Sequence, residues 1–218
     1  MRIVFEEQLA QLDDKLLVMG TAIEDAVKGA VDALFARDVE AAKRIVSGDD
    51  EINHLEHEIE GLCLRLLLTQ QPVAADLRIV SGALRMVGDM ERIGDQAAEI
   101  AEIVTTFDGE IDKEISDHLT AMGQHVCSMV HDAIASFVAR DRAAARKVAE
   151  QDEVIDVDFD RLRSDIVAVI KKEENEAELL VDALMMAKYL ERIGDHAENI
   201  AEWVEYSVTG QYKGTVIS

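Results

Sequence analysis

The sequence predicts an all-α fold of two tandem three-helix bundles related by an internal repeat. One ground is a duplicated pentapeptide: Glu91-Arg92-Ile93-Gly94-Asp95 returns unchanged as Glu191-Arg192-Ile193-Gly194-Asp195, one hundred residues on in a chain of 218. Around it, 84–104 and 184–204 align without a gap and agree at twelve of twenty-one positions. A second ground is composition. One proline and twelve glycines, beside abundant Ala, Leu, Ile, Val, Glu and Asp, favour long helices over sheets. The third is apolar spacing in alternating steps of three and four, the period of a helix stripe. No strand is expected.

The first helix carries Leu9, Leu12, Leu16, Met19, Ile23, Ala26, Ala30 and Ala33 on one stripe. It ends near Arg37-Asp38, where Asp38 can cap the next helix. The second helix runs to about Gln70. Ser47-Gly48-Asp49 is expected to kink or interrupt it, with Asp49 capping the restart. Pro72 sits at the turn and is expected to open a third helix, Val73 to Phe107. The order then repeats after Asp108-Gly109. Ile115, Leu119, Met122, Val126, Met129 and Ala133 mark the fourth helix, and Arg140-Asp141 repeats the earlier turn 103 residues later. A fifth helix reaches Lys172, a turn spans Glu173 to Asn175, and a sixth helix runs to about Val208. Each unit is up-down-up with short turns, giving domains 1–108 and 109–218.

The formal charge of -23 disfavours nucleic acid, whose phosphates need Lys and Arg, and suits hard cations or a basic protein partner. Cys63 and Cys127 form no CxxC pair and read as free thiols of a reducing compartment. The N-terminus turns acidic too early for a signal peptide, and no run of eighteen uncharged apolar residues occurs. A cytoplasmic protein with no membrane insertion is expected.

Met86, Met90, Ile93, Ala97, Ile100 and Val104 form the core face of the third helix, as Met186, Leu190, Ile193, Ala197, Ile200 and Val204 do in the sixth. Glu91 and Asp95 point roughly opposite, in line with Leu77, Leu84, Ala98 and Glu102. Four residues apart, the two carboxylates share one helix face, ~6 Å apart along the axis. Asp49 and Asn53 on the second helix, and Asp152 and Asp156 on the fifth, have the same spacing. The centres of the first two pairs average to residue 72, at the turn; those of the second two average to 173.5, again the turn. Residues equidistant from the turn of an antiparallel hairpin lie side by side, so each hairpin brings two pairs to one level. Such carboxylates repel and raise one another's pKa values, a penalty that a hard cation removes. Oxygen ligands suit Mg, Mn, Ca or iron and not a closed structural zinc site. The competing account of each pair is an ordinary solvated helix face.

Arg92 and Arg192 follow the carboxylates and are either supports for them or plain surface arginines. His54, His57, His118, His125 and His131 have no match between repeats. His196 adjoins Asp195 but points away from it, and all six histidines read as surface or structural. Glu51 to His54 has the ExxH spacing of di-iron bundles, without a second copy.

The motifs Gln70-Gln71-Pro72-Val73-Ala74-Ala75-Asp76-Leu77-Arg78, Glu91 to Asp95 with Glu99-Ile100-Ala101-Glu102, and Leu190 to His196 with Asn199-Ile200-Ala201-Glu202 together resemble the PhoU family of phosphate-uptake regulators, over nearly the whole chain. The resemblance implies tandem three-helix bundles with pseudo-twofold symmetry, often assembled as a homodimer. It implies metal clusters, iron favoured, with manganese, magnesium or zinc as other occupants. Carried over, the metal positions are Asp49, Glu91, Asp95, Asp152, Asp156, Glu191 and Asp195. Asn53 departs from the usual aspartate and brings oxygen without charge. The resemblance further implies a negative regulator of the phosphate regulon, linking the phosphate importer ATPase to a sensor histidine kinase.

No nucleophile–base pair, glycine-rich phosphate loop or nucleotide motif is present, so a non-enzymatic regulator acting by protein contact is the leading expectation. The alternatives are a carboxylate-bridged metal enzyme, an oxidase or hydrolase using the same residues, and an acidic scaffold whose carboxylates bind nothing.

Overall fold

In the computed structural model, residues 2–107, 109, 111–171 and 177–216 are described. Six helices run through them: α1 (Arg2–Ala36), α2 (Val39–Gln70), α3 (Ala75–Thr106), α4 (Lys113–Ala139), α5 (Arg142–Ile170) and α6 (Ala177–Thr209). Helices α1, α2 and α3 pack as one triplet, and α4, α5 and α6 repeat it. The expected junction residue Asp108, the helix end at Lys172 and the turn at Glu173 to Asn175 lie outside the described residues.

The two matching turns have one construction. Arg37 and Arg140 adopt left-handed φ of 52° and 54°. The next amide reaches back to the helix just ended: Asp38 N–H donates to Ala33 O at 3.0 Å, and Asp141 N–H to Ser136 O at 2.9 Å. These bonds satisfy carbonyls that a helix end leaves open. Each aspartate then caps the following helix, Asp38 accepting from Ala41 N–H at 2.8 Å and Asp141 from Ala143 and Ala144 N–H at 2.9 and 3.1 Å.

Three local expectations are corrected. Helix α2 is continuous through Ser47-Gly48-Asp49, so Asp49 caps nothing and sits mid-helix. The Ser47 hydroxyl is occupied on Arg44 O, and a lone Gly48 costs only ~1 kcal/mol. That is less than the unbroken helix recovers by burying Ala42, Ile52, Ile59 and Leu66. Pro72 does not open α3, because Gln71 and Ala74 both take positive φ (47° and 50°) and helical backbone resumes only at Ala75. The tail past α6 forms a short hairpin of β1 (Gln211–Tyr212) and β2 (Thr215–Val216), the only strands among the described residues. Lys213 and Gly214 (φ 48° and 72°) supply its two-residue turn, the positive-φ pair that hairpins favour. Tyr212 holds it down by stacking on Trp203, with ring centroids 4.1 Å apart.

The expected stripes all face inward. Leu12, Leu16, Met19 and Ile23 of α1, Met90, Ile93 and Ile100 of α3, and Leu190, Ile193 and Ile200 of α6 are each at most 2% exposed. The two triplets share one continuous core, joined along α3–α6 and α1–α4. Both junctions are antiparallel. Arg78 meets Ser207 O (3.4 Å) and Tyr189 meets Glu99 (3.2 Å) across α3–α6, while Asp13 meets Arg140 (3.2 Å) and Glu24 meets His131 (3.1 Å) across α1–α4. The contacts Asp89–Asn199 and Glu99–Tyr189 exchange under an offset of one hundred residues, which is the pseudo-twofold expected of a repeat. Cys63 and Cys127 are free; burial pushes their thiols to about 12 and about 11, so both stay protonated. No described helix is long and apolar enough to cross a membrane.

Candidate metal centre

Helices α2 and α3 approach closely where Gly94 faces α2. A Cβ on Gly94 would stand 3.0 Å from two carbons of Ile52, and one on Gly194 would stand 3.1 Å from Asp152 Oδ1 and 3.4 Å from Ile155. The repeated glycine is therefore a contact plate. It lets α2 and α5 sit against the carboxylate-bearing helices and seats Asp49 and Asp152 beside the acidic pairs.

In the second repeat, Asp152 and Asp156 of α5 and Asp195 of α6 each offer a carboxylate oxygen, and these oxygens lie within 4.8 Å of one another. Asp152 is only 8% exposed and accepts no hydrogen bond from the described residues. Burial, then the charges of Glu198, Asp195, Asp156 and Glu191, push its carboxyl up to about 7. Glu191, the fourth expected member, instead makes an ion pair with Lys188 one turn back on its own helix.

The first repeat is arranged differently. The Asn53 amide N–H donates to Asp49 Oδ2 at 3.0 Å, so Asn53 acts as a donor to the cluster. Arg92 Nη1 donates to Asp95 Oδ2 at 2.9 Å, and its Nε lies 3.4 Å from Glu91 Oε2. Burial and the charge of Asp95 raise both Asp49 and Glu91, and Asp49 Oδ1 is buried without a hydrogen-bond partner. Both arginines are exposed, but Arg92 pairs with its carboxylates directly, whereas Arg192 makes no ion pair with a described residue.

Two acidic residues near these clusters were not expected. Glu56 of α2 bears electrostatically on Glu91, and Glu198 of α6 bears on Asp152 more than any other carboxylate does. Glu198 lies one turn past Asp195, on the face that Ala98 occupies in α3. Matching the repeats hides it, because its counterpart is alanine.

No histidine joins the Asp152, Asp156 and Asp195 group among the described residues. His196 Nδ1 is 2.9 Å from Asp89 Oδ1, and Asn199 and Trp203 donate to the same carboxylate at 3.3 Å each, a network that ties α3 to α6. His54, of the ExxH run, lies 3.6 Å from Glu58.

A pH test follows from Asp152. Its carboxyl titrates near 7 when folded and near 3.8 otherwise, so the folded state holds the proton more strongly. The resulting stability is fully present below 3.8 and is lost as pH rises through 7. In metal-free protein, Asp152→Asn should exceed wild type in stability by about 2 kcal/mol at pH 8, after allowance for screening. The gap should narrow steadily toward pH 4, as read by urea unfolding across the range; a constant gap would rule out the titration.

A family model described as "PhoU domain" matches residues 16–104 and 119–204. The chain is 33% identical over 211 residues to the phosphate-specific transport system accessory protein PhoU homolog of Clostridium acetobutylicum, covering 96% of each chain. It superposes on the crystal structure of PhoU from Pseudomonas aeruginosa with a TM-score of 0.91 and 33% identity, covering 95% of this chain and 100% of that one. It superposes on the phosphate transport system regulatory protein PhoU from Streptococcus pneumoniae with a TM-score of 0.89 and 30% identity, covering 98% and 99%.

Proposed function

This chain belongs to the PhoU family, and from that premise we propose that it is a cytoplasmic, non-enzymatic negative regulator of phosphate uptake that works by protein contact. The observation that carries the reading is the match of both repeats, across nearly the whole chain, to proteins named as accessory or regulatory parts of phosphate transport. The contacts are with the importer ATPase and a sensor histidine kinase, and the working form is a homodimer. The charge of -23 supports docking on basic surfaces, because it steers and orients such partners. Leu64, Leu68, Val73 and Leu77, all exposed around the α2–α3 turn, add an apolar patch suited to a protein contact.

A metal ion is part of this reading, and the α5–α6 residues fit one. A buried carboxylate with no hydrogen bond faces two more, an arrangement that costs free energy until a cation neutralises it. Asp152, Asp156 and Asp195 would hold it, and all-oxygen donors suit iron, manganese or magnesium. Bound there, the ion supplies positive charge that offsets the carboxylates and joins α5 to α6.

The test is genetic. Deleting the gene should leave phosphate-starvation genes expressed in phosphate-rich medium, and normal repression in the deletion strain would overturn the regulatory reading.

A further inference from the structure

We infer that the homodimer proposed above, on which this step rests, closes along the outer edge of α2, with Leu68 of each copy seated over Gly61 of the other. Helix α2 packs on α1 and α3 at the edge of its triplet, and it buries Ile59, Leu62, Cys63 and Leu66 against them. His57, Gly61, Leu64 and Leu68 follow one another in steps of four, three and four on the opposite side, a single stripe turned to solvent.

Leu68 is 80% exposed, and Leu64 beside it is exposed as well. Gly61 is a notch in the same stripe. A Cβ built there meets nothing within 4 Å, so no packing inside the chain requires a glycine, which weakens a helix interior. Gly94 and Gly194 differ, because α2 and α5 press on them. A projecting leucine and a notch two turns apart fit each other when the helix is laid antiparallel against its own copy. The fold does not dictate this edge. The 103-residue offset that matches Asp38 to Asp141 places Asp160, Ser164, Val167 and Lys171 at the same positions on α5, and Asp160 is ion-paired to Arg163 at 3.0 Å. Of two equivalent edges, one is apolar and one is an ordinary solvated face. A single self-complementary edge closes a dimer and stops there.

Charge selects a second copy as the occupant. At a net charge of -23, two copies repel wherever carboxylates meet, yet from Gly61 to Ala75 the only charged residue is Arg65. A two-fold axis between Leu64 and Arg65 brings level those residues whose numbers sum to 129: Leu68 with Gly61, Thr69 with Glu60, and Gln71 with Glu58. The glutamates of each copy thus come level with uncharged residues of the other. Arg65 comes level with Leu64, where its stem adds apolar cover while its charge stays in water. The overlap, 58–71, is about 20 Å long. An anionic membrane would meet one arginine on a strongly acidic chain, and a basic partner would meet no carboxylate between Gly61 and Ala75.

The experiment is sedimentation equilibrium of the full chain in a chelator, so that metal bridging plays no part. Wild type should show twice the 24.1 kDa of one chain. Leu68→Glu should raise the dissociation constant at least about a hundredfold, because it seats an unpaired carboxylate in the contact. Gly61→Leu, which fills the notch, should raise it at least about tenfold. Val181→Glu, at an exposed position on α6, should change it by less than about threefold. Register is read separately by mild oxidation. Leu64→Cys, beside the axis, should form an intermolecular disulfide. Leu68→Cys should not, since the two copies of residue 68 lie about 10 Å apart along the helices. A dimer that Leu68→Glu and Gly61→Leu leave intact, or one that Leu68→Cys links in preference to Leu64→Cys, would overturn the inference. The homodimer would then use another face or register, with the α2 edge left to a different protein or a lipid surface. A monomeric wild type would remove both readings.

Discussion

Ile193→Ala is expected to lower the melting temperature by about 10 °C in a single cooperative transition. Ile193 is fully buried in the centre of the second pentapeptide. Removing its branched side chain loses burial and leaves a cavity that packed helices cannot close, a cost of about 3 kcal/mol. In a chain of this size each kcal/mol is worth roughly 2–4 °C. The transition should remain single because the residue belongs to one core running through both triplets. Val154→Ala, at a position that is 48% exposed, is the matched control and should move the midpoint little. Differential scanning calorimetry decides it: two separated transitions would mean that the repeats hold separate cores, and a loss under about 1 kcal/mol would mean that the site closes around the missing side chain.

Loss of metal-dependent stabilisation in the Asp152→Asn, Asp195→Asn double variant is the second large effect. An ion that binds only the folded state stabilises it by ~2.7 kcal/mol when its free concentration is a hundred times the dissociation constant. Wild type should gain that increment with manganese or iron at pH 8, and the double variant should gain almost none. Glu91→Gln with Asp95→Asn should retain most of it, since Asp95 and Glu91 are already paired with Arg92. The comparison is the increment with and without metal for each protein, because removing Asp152 itself stabilises the metal-free state. Protons compete for the same oxygens, so the wild-type increment should vanish as pH falls below 7, where Asp152 takes up its proton. An equal increment in both double variants would show that the ion binds elsewhere.

Much of the centre was legible in the chain. Carboxylates four residues apart share a helix face, and equal distances from a turn set the level at which two helices meet. Those two rules alone bring Asp152 and Asp156 opposite Asp195, and Asp49 near Asp95. What they omit is direction around and across the helices. Glu191 obeys both rules, yet its side chain reaches Lys188; Asn53 was expected to offer oxygen and instead donates its N–H. Glu198 lay on the indicated face but was hidden by its alanine counterpart. The glycine of the pentapeptide was visible twice, yet only the packing of Ile52 and Asp152 upon it explains why it is glycine.

By itself, the sequence determined what local physics decides. The stripe spacing sets which face of each helix is apolar, Asp38 and Asp141 cap and divide the helices, and the duplicated segment guarantees two units of one topology. Even the family was legible from motifs along one chain. Tertiary structure decided what depends on distant partners. Helix α2 runs unbroken through Ser47-Gly48-Asp49 because burial along its length outweighs a weak local breaker. The two units share one core because α3 meets α6 and α1 meets α4 across the pseudo-twofold. The two acidic clusters differ because Arg92 bonds Asp95 and Asn53 bonds one oxygen of Asp49 in the first, while in the second the buried Asp152 accepts no hydrogen bond from a described residue. Helical periodicity acts over four residues and can be read along a chain. Side-chain direction and net local charge are set by residues a hundred positions away, and only folding brings those together.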